Sequence, residues 1–247
     1  MKEKVLYKRP VALSEKPFSY CPGCTHSTIH KLIAEIVDEL GIREKTIGVA
    51  PVGCAVFAYD FWNFDVTEAA HGRAPVVATA IKRIMPEKVV FSYQGDGDLA
   101  SIGMAEIIHT ANRGENLTVI FINNTNYGMT GGQMAPTTLA KQVTTTSPLG
   151  RDVKTSGYPI RMSELLLPLQ GVKYIERVKA TDAISIIRTK KAIKKAFMNQ
   201  ITHVGFSFIE VLSNCPTNWK KDPVESNKWV DETMAEFFQI GKIKDIQ

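Results

Sequence analysis

The chain is short of several things, and each shortage excludes a class. Its 247 residues contain no apolar run near the roughly 20 that span a bilayer, so no membrane role is expected. Met1–Lys8 is charged and carries no apolar stretch, so no secretory leader is expected and the cytoplasm is the expected location. Excess charge is small: 30 basic against 25 acidic residues leave +5. No basic segment is interleaved with aromatics, so no nucleic-acid partner is expected. The densest basic cluster is Lys190, Lys191, Lys194 and Lys195. Its spacing is helical, with Ala192, Ile193, Ala196 and Phe197 available for burial, and it reads as a solvated helix face rather than a docking patch. No internal repeat or dividing linker is visible. Apolar residues at 44% and charged residues at 22% are ordinary globular values, which excludes disorder, collagen and coiled coil. The length suffices for a core without disulfide staples.

What is present alternates between helix and strand signals, an α/β pattern with a mostly parallel sheet. Residues 1–247 read as one domain with N- and C-terminal extensions. After Thr25 and Ser27, Ile29, Leu32, Ile33, Ile36, Val37 and Leu40 form one stripe, stopped by Gly41. Thr46–Val52 reads as a strand leading into Gly53-Cys54. Lys88–Tyr93 is a second strand, ending in Gln94-Gly-Asp-Gly-Asp98. Leu99–Asn112 is a helix. Leu117–Ile122 is a continuous apolar strand suited to a buried parallel sheet, running into Asn123-Asn124. Gly205–Leu212 delivers Ser213-Asn214-Cys215-Pro216. Between them, Thr137–Tyr158 is rich in Thr, Ser, Pro and Gly and reads as a long ordered loop, which in a compact domain is more often functional than idle.

Chemistry concentrates at strand ends. Gly95-Asp96-Gly97-Asp98 and Asn123-Asn124 are joined by a crossover helix, so both loops converge at the carboxyl ends of neighbouring strands. Glycines admit a phosphate close to the backbone, and Asp96 with the amide oxygen of Asn124 supplies hard ligands suited to Mg²⁺. Cys21, Cys24, Cys54 and Cys215 all lie in polar, Gly- or Pro-bearing surroundings rather than apolar runs. That points to ligand or redox roles, with a Cys₄ zinc site and an iron–sulfur cluster both open.

The unit Gly95-Asp-Gly … Asn-Asn124 is similar to the diphosphate-and-magnesium motif of thiamine-diphosphate enzymes. Asn126-Tyr-Gly-Met-Thr-Gly-Gly-Gln133, Cys21-Pro-Gly-Cys24, Gly53-Cys54 and His71-Gly-Arg-Ala74 resemble the beta subunit of the 2-oxoacid:ferredoxin oxidoreductases, the branched-chain (2-oxoisovalerate) members above all. The resemblance spans residues 20 to 216. It implies a thiamine-diphosphate-binding fold, with thiamine diphosphate, Mg²⁺ and one [4Fe–4S] cluster as cofactors. It makes Cys21, Cys24, Cys54 and Cys215 the cluster ligands. Asp96, Asn124 and the carbonyl of Asn126 become the metal ligands. Gly97 and Asp98 would contact the diphosphate, and Val52, Gly53, Cys54, Ala55, Gly128 and Met129 would lie along the cofactor. His71 would face the reaction centre.

The implied activity is oxidative decarboxylation of a 2-oxo acid to acyl-coenzyme A and CO₂, with electrons passed to ferredoxin. The chain has one diphosphate motif and no second domain of similar fold. The resemblance therefore implies an alpha subunit with the pyrimidine-binding half, and gamma and ferredoxin-like delta subunits beside it. Ala55-Val-Phe-Ala-Tyr59 and Thr130-Gly-Gly132 carry no cation, and Phe57, Phe61 and Trp62 suit an apolar, branched-chain substrate unless they belong to the core. 2-Oxoglutarate and pyruvate are the alternatives within the family. Outside it stand a non-redox decarboxylase half with structural zinc, and a zinc-stapled binding protein.

Overall fold

The computed structural model describes residues 7–246, so the first six residues of the N-terminal reading fall outside it. Nine strands and a series of helices follow in order. They are α1 (His26–Leu40), β1 (Thr46–Ala50), α2 (Ala58–Phe61), β2 (Asp65–Glu68), α3 (Ala74–Ile84), β3 (Val89–Gly95), α4 (Met104–Asn112), β4 (Thr118–Asn123), β5 (Asn126–Tyr127), β6 (Gln133–Met134), α5 (Val153–Ser156), α6 (Met162–Leu166), β7 (Val172–Lys179), α7 (Ala183–Ile201), β8 (Phe206–Leu212), α8 (Pro216–Trp219), α9 (Pro223–Trp229) and β9 (Gly241–Asp245).

Seven strands form one sheet in the order β2-β1-β3-β4-β8-β7-β9, parallel except for β9, which pairs antiparallel with β7 at the edge. β1, β4 and β8 are buried throughout. This is the condition under which strands read as continuous apolar runs. The alternation along them sorts the core into two faces. Phe91, Ile120, Ile122 and Val211 pack with α1 and α7, while Val90, Val119, Phe121 and Phe208 pack with α3, α4 and α6. The α1 stripe is buried as its spacing demands, and Gly41 ends the helix in the left-handed conformation. Among the described residues no helix is long and apolar enough to cross a membrane.

The lysine cluster on α7 has a different job from a solvated face. Lys190 reaches Glu35 and Glu39 at 2.7 Å each, Lys194 reaches Glu39 at 2.8 Å, and Lys195 pairs with Asp245. The charges tie α7 to α1 and to the edge strand.

Strand order reverses between β1 and β3, since the chain goes out to β2 and returns to the other side of β1. A sheet of this kind opens its crevice there, beyond the carboxyl ends of the strands. The Pro51–Ala55 and Gly95–Asp98 loops leave the sheet at that place, beside the Asn123–Gly128 loop after β4 and the Ser213–Cys215 loop after β8.

Candidate cofactor and metal site

Two cavities meet at this edge. The first, about 120 Å³, is lined by every residue singled out above for the cofactor, the metal and the reaction centre: Val52, Gly53, Cys54, Ala55, His71, Asp96, Gly97, Asp98, Asn124, Asn126, Gly128 and Met129. The second, about 280 Å³, is lined by Cys21, Cys24, Cys54 and Cys215. Cys54, Asn124, Gly128, Met129 and His26 belong to both walls.

In the first cavity the Asn124 side-chain amide faces three oxygens, 3.3 Å from Asp96 Oδ1, 2.8 Å from the carbonyl of Asn126 and 3.1 Å from Asn126 Oδ1, and its nitrogen donates to them. Neighbouring ligands of an octahedral ion at ~2.0–2.1 Å stand about 2.9 Å apart, so groups at this spacing fit Mg²⁺ once the amide turns its oxygen inward. Asp96 is buried. Burial pushes its carboxyl up to about 7, against the pull of the Thr137 hydroxyl (2.8 Å to Oδ2) and the Gly97 amide (2.9 Å to Oδ1). Stripping water from a carboxylate disfavours its charge, and a cation at the oxygens restores it.

Asp98 lines the same cavity, and its carboxylate is engaged within the chain. Its Oδ1 accepts from the amides of Gly72 (2.9 Å) and Val52 (3.2 Å), and Oδ2 accepts from Gln94 at 2.6 Å. It fastens the loops after β1 and β2 to β3. His71 Nδ1 lies 2.8 Å from the same Oδ1, with the ring about a third exposed toward the cleft.

The thiols crowd one another. Burial pushes Cys24 and Cys54 up to about 12, and the neighbouring cysteines add to it. Burial also raises Cys215, opposed by the side chains of Asn218 and Asn126; Asn218 Nδ2 donates to its sulfur at 3.3 Å. A set of thiols that resist ionisation together needs a cationic centre to hold them as thiolates. Among the described residues no three His, Cys, Asp or Glu side chains are spaced for a single ion. A tetrahedral zinc site asks for sulfurs gathered at ~2.3 Å around one point. Four cysteines around a wider cavity fit a cluster better.

A match to the thiamine pyrophosphate enzyme C-terminal TPP-binding domain covers residues 52–211. The chain belongs to the thiamine pyrophosphate enzymes, as a beta-type subunit of the 2-oxoacid:ferredoxin oxidoreductases. It is 52% identical over 226 residues to ketoisovalerate oxidoreductase subunit VorA of Methanothermobacter thermautotrophicus, covering 92% of this chain and 47% of that protein. It is 35% identical over 237 residues to 2-oxoglutarate synthase subunit KorB of Methanocaldococcus jannaschii, covering 93% and 82%. The fold is similar to 2-oxoglutarate:ferredoxin oxidoreductase from Magnetococcus marinus, solved with 2-oxoglutarate, coenzyme A and succinyl-CoA bound. There the TM-score is 0.75 and the identity 29%, over 86% of this chain and 69% of that one. The chain spans about half the length of the VorA relatives it matches.

Within this beta-type subunit, several site residues escaped the sequence reading. His26 lines both cavities, its Nδ1 2.7 Å from the buried Tyr93 hydroxyl. Its place two residues after Cys21-Pro-Gly-Cys24 was the available signal. Thr137 and Asn218 gave none, because each acts through a contact with a distant segment. Tyr127 covers Gly97, where an added Cβ would stand 2.2 Å from the ring. A Cβ added at Gly128 would stand 2.9 Å from the Cys54 sulfur. Phe61 and Trp62 are core residues, 2% and 3% exposed, stacked with α1 and β3 side chains, so they form no substrate wall. Phe57 is exposed and lies on the thiol cavity.

Proposed function

We propose that this chain is the thiamine-diphosphate and iron–sulfur subunit of an enzyme that oxidatively decarboxylates a 2-oxo acid to acyl-coenzyme A and CO₂, with ferredoxin as electron acceptor. The observation that carries it is the shared wall: Cys54 and Gly128 line both the cavity that holds Asp96 and Asn126 and the one that holds the other three cysteines. When bound, thiamine diphosphate supplies an electron sink for loss of CO₂ and a [4Fe–4S] cluster supplies a one-electron acceptor beside it.

The chain's own residues bind and orient. Asp96, Asn124 and the Asn126 carbonyl hold Mg²⁺, and Cys21, Cys24, Cys54 and Cys215 hold the cluster. Gly95 and Gly97 offer backbone to the diphosphate, with open space where a Cβ on Gly95 would stand. Val52, Gly53, Ala55 and Met129 line the cofactor's length. Asp98 does not spend its carboxylate on the diphosphate; it holds the Val52 and Gly72 loops and orients His71 toward the reacting end. A site that encloses a small molecule has about 300–1000 Å³, and the cleft here is smaller. That supports an alpha subunit completing the pyrimidine half; the gamma and ferredoxin-like delta subunits and the cytoplasmic setting rest on the family resemblance alone.

A branched-chain 2-oxo acid is the favoured substrate. The loop after Cys54 offers Val56, Phe57 and Tyr59 and no cation to pair with a second carboxylate, and the relatives at about 52% identity are named for ketoisovalerate. Anaerobic purification should give about four irons and four acid-labile sulfides per chain, without zinc. The assembled enzyme should reduce ferredoxin faster with 2-oxoisovalerate than with 2-oxoglutarate or pyruvate. Zinc without sulfide would remove the redox role, and a preference for 2-oxoglutarate would remove the substrate assignment.

A further inference from the structure

Thr125 stands between the two asparagines that supply metal-facing oxygens, and its backbone is left-handed, φ +57°. A β-branched residue adopts that conformation at a cost, and such a site persists only when its surroundings over-determine it. The other described non-glycine residues with positive φ, Lys141, His203 and Lys220, are exposed, whereas Thr125 is fully buried. The turn it makes brings the Asn124 side-chain amide within 2.8 Å of the Asn126 carbonyl.

The fasteners come from the excursion between β6 and α6. The Thr138 hydroxyl donates to the Thr125 carbonyl, and Gln142 Nε2 donates to Thr125 Oγ1 at 2.8 Å. Thr137, between them and Pro136, donates to Asp96 Oδ2. One buried side chain organises this segment. Arg151 is 5% exposed and has no carboxylate partner among the described residues. Its guanidinium donates instead to six carbonyls: Ala135, Pro136 and Thr138 on one side (2.7–3.2 Å), Ser156, Gly157 and Tyr158 on the other (3.0–3.1 Å). Its backbone pairs with Lys141 and Gln142. A planar fork of five donors can gather carbonyls in this way, and the three donors of an ammonium cannot.

We propose that Arg151 is a positioning residue for the metal corner. By gathering the excursion it presses Thr138 and Gln142 onto the strained Thr125 and Thr137 onto Asp96, so that the oxygen ligands stand converged before the cofactor arrives. This rests on the metal-site reading above. The test uses the full chain with Arg151→Met and Arg151→Lys, read by magnesium-dependent thiamine diphosphate titration, iron per chain, and cofactor-free amide exchange at residues 124–126.

Both variants should weaken cofactor binding at least tenfold and speed exchange at residues 124–126 by a similar factor, with iron content unchanged. Adding Thr125→Asn to Arg151→Met should recover much of the affinity, because asparagine enters the left-handed region more readily. A merely structural arginine would show no such rescue. Wild-type exchange at residues 124–126 in folded Arg151→Met overturns the proposal. If that variant does not fold, Gln142→Ala reads the same clamp: several-fold faster exchange is expected, and no change overturns it. Should the wild-type chain, assembled with its alpha subunit, fail to bind thiamine diphosphate, the functional reading falls, while the exchange comparison still decides the clamp.

Discussion

Gly97 has an ordinary helical φ of −65°, so its requirement is space rather than conformation. A methyl group there would enter the Tyr127 ring. Gly97→Ala should therefore cost about 1–3 kcal/mol of stability through overpacking, read by urea denaturation, and should push Tyr127 into the cofactor cleft. An unchanged midpoint would show that the ring yields freely. Asp96 carries a heavier load, as the one carboxylate among the converging oxygens. Asp96→Ala should weaken magnesium-dependent thiamine diphosphate binding by about 100-fold or more, beyond what loss of an outer partner causes, while leaving iron content intact. Titration of the variant beside an iron and sulfide assay separates the two; loss of both would mean a general collapse of the edge. These two residues were legible in the sequence because an acidic glycine loop joined through a crossover helix to an Asn-Asn loop is a far more specific combination than either loop alone. Thr137 and Thr125 were not, because an unremarkable threonine gains its role only from what folds against it.

At the level of elements, β4, β7 and β8 are locked by a buried ion network. Arg177, fully buried on β7, donates to Glu210 on β8 at 2.8 Å and to Glu164 on α6. Glu210 also accepts from Ser163 at 2.5 Å and from Asn123 at 2.9 Å. Asn123 in turn accepts from the Thr125 amide at 3.2 Å. The first asparagine of the pair is thus structural, and the network reaches the Asn124–Asn126 turn through it. Burial tends to raise Glu164, but the guanidinium holds it below the usual carboxylate range. Arg177→Met should destabilise the chain by about 3–5 kcal/mol, because it strands the Glu210 charge inside the sheet. Arg177→Met with Glu210→Gln should recover part of that in denaturant titrations, and a double variant as unstable as the single would refute the account. The strand runs Leu117–Ile122 and Gly205–Leu212 were visible as continuous apolar stretches. β7 and β9 were not, since Val172–Lys179 alternates with charged residues and Gly241–Asp245 is a half-exposed edge.

For the whole molecule, acid should be destabilising in a definable window. His26 and His30 are buried and neutral; burial lowers His26 to about 4 and His30 well below the ordinary value. The unfolded chain takes up these protons below pH ~6.5 and the folded chain does not, so their contribution is fully present above ~6.5 and is lost as pH falls toward 4. For His26 alone that is on the order of 3 kcal/mol. Burial of Asp96 acts in the opposite sense between its ordinary value and about 7. Urea midpoints measured from pH 7.5 to 4.5 should fall, and His30→Gln should flatten the slope; a flat wild-type profile would show that these histidines are not held neutral. The sequence by itself determined the parallel α/β architecture, the α1 stripe, and the residues that face the two cavities, because periodicity, strand-end glycines and cysteine placement are local signals. Only the tertiary structure decided which side chains are spent on holding the frame. Asp98 turned to the Val52 and Gly72 amides, Phe61 and Trp62 went to the core, Lys190 and Lys194 paired with α1, and the Thr137–Tyr158 excursion closed around Arg151. Each of those outcomes depends on a partner remote in the chain, and sequence patterning carries no record of which distant group will satisfy a buried charge or hydroxyl.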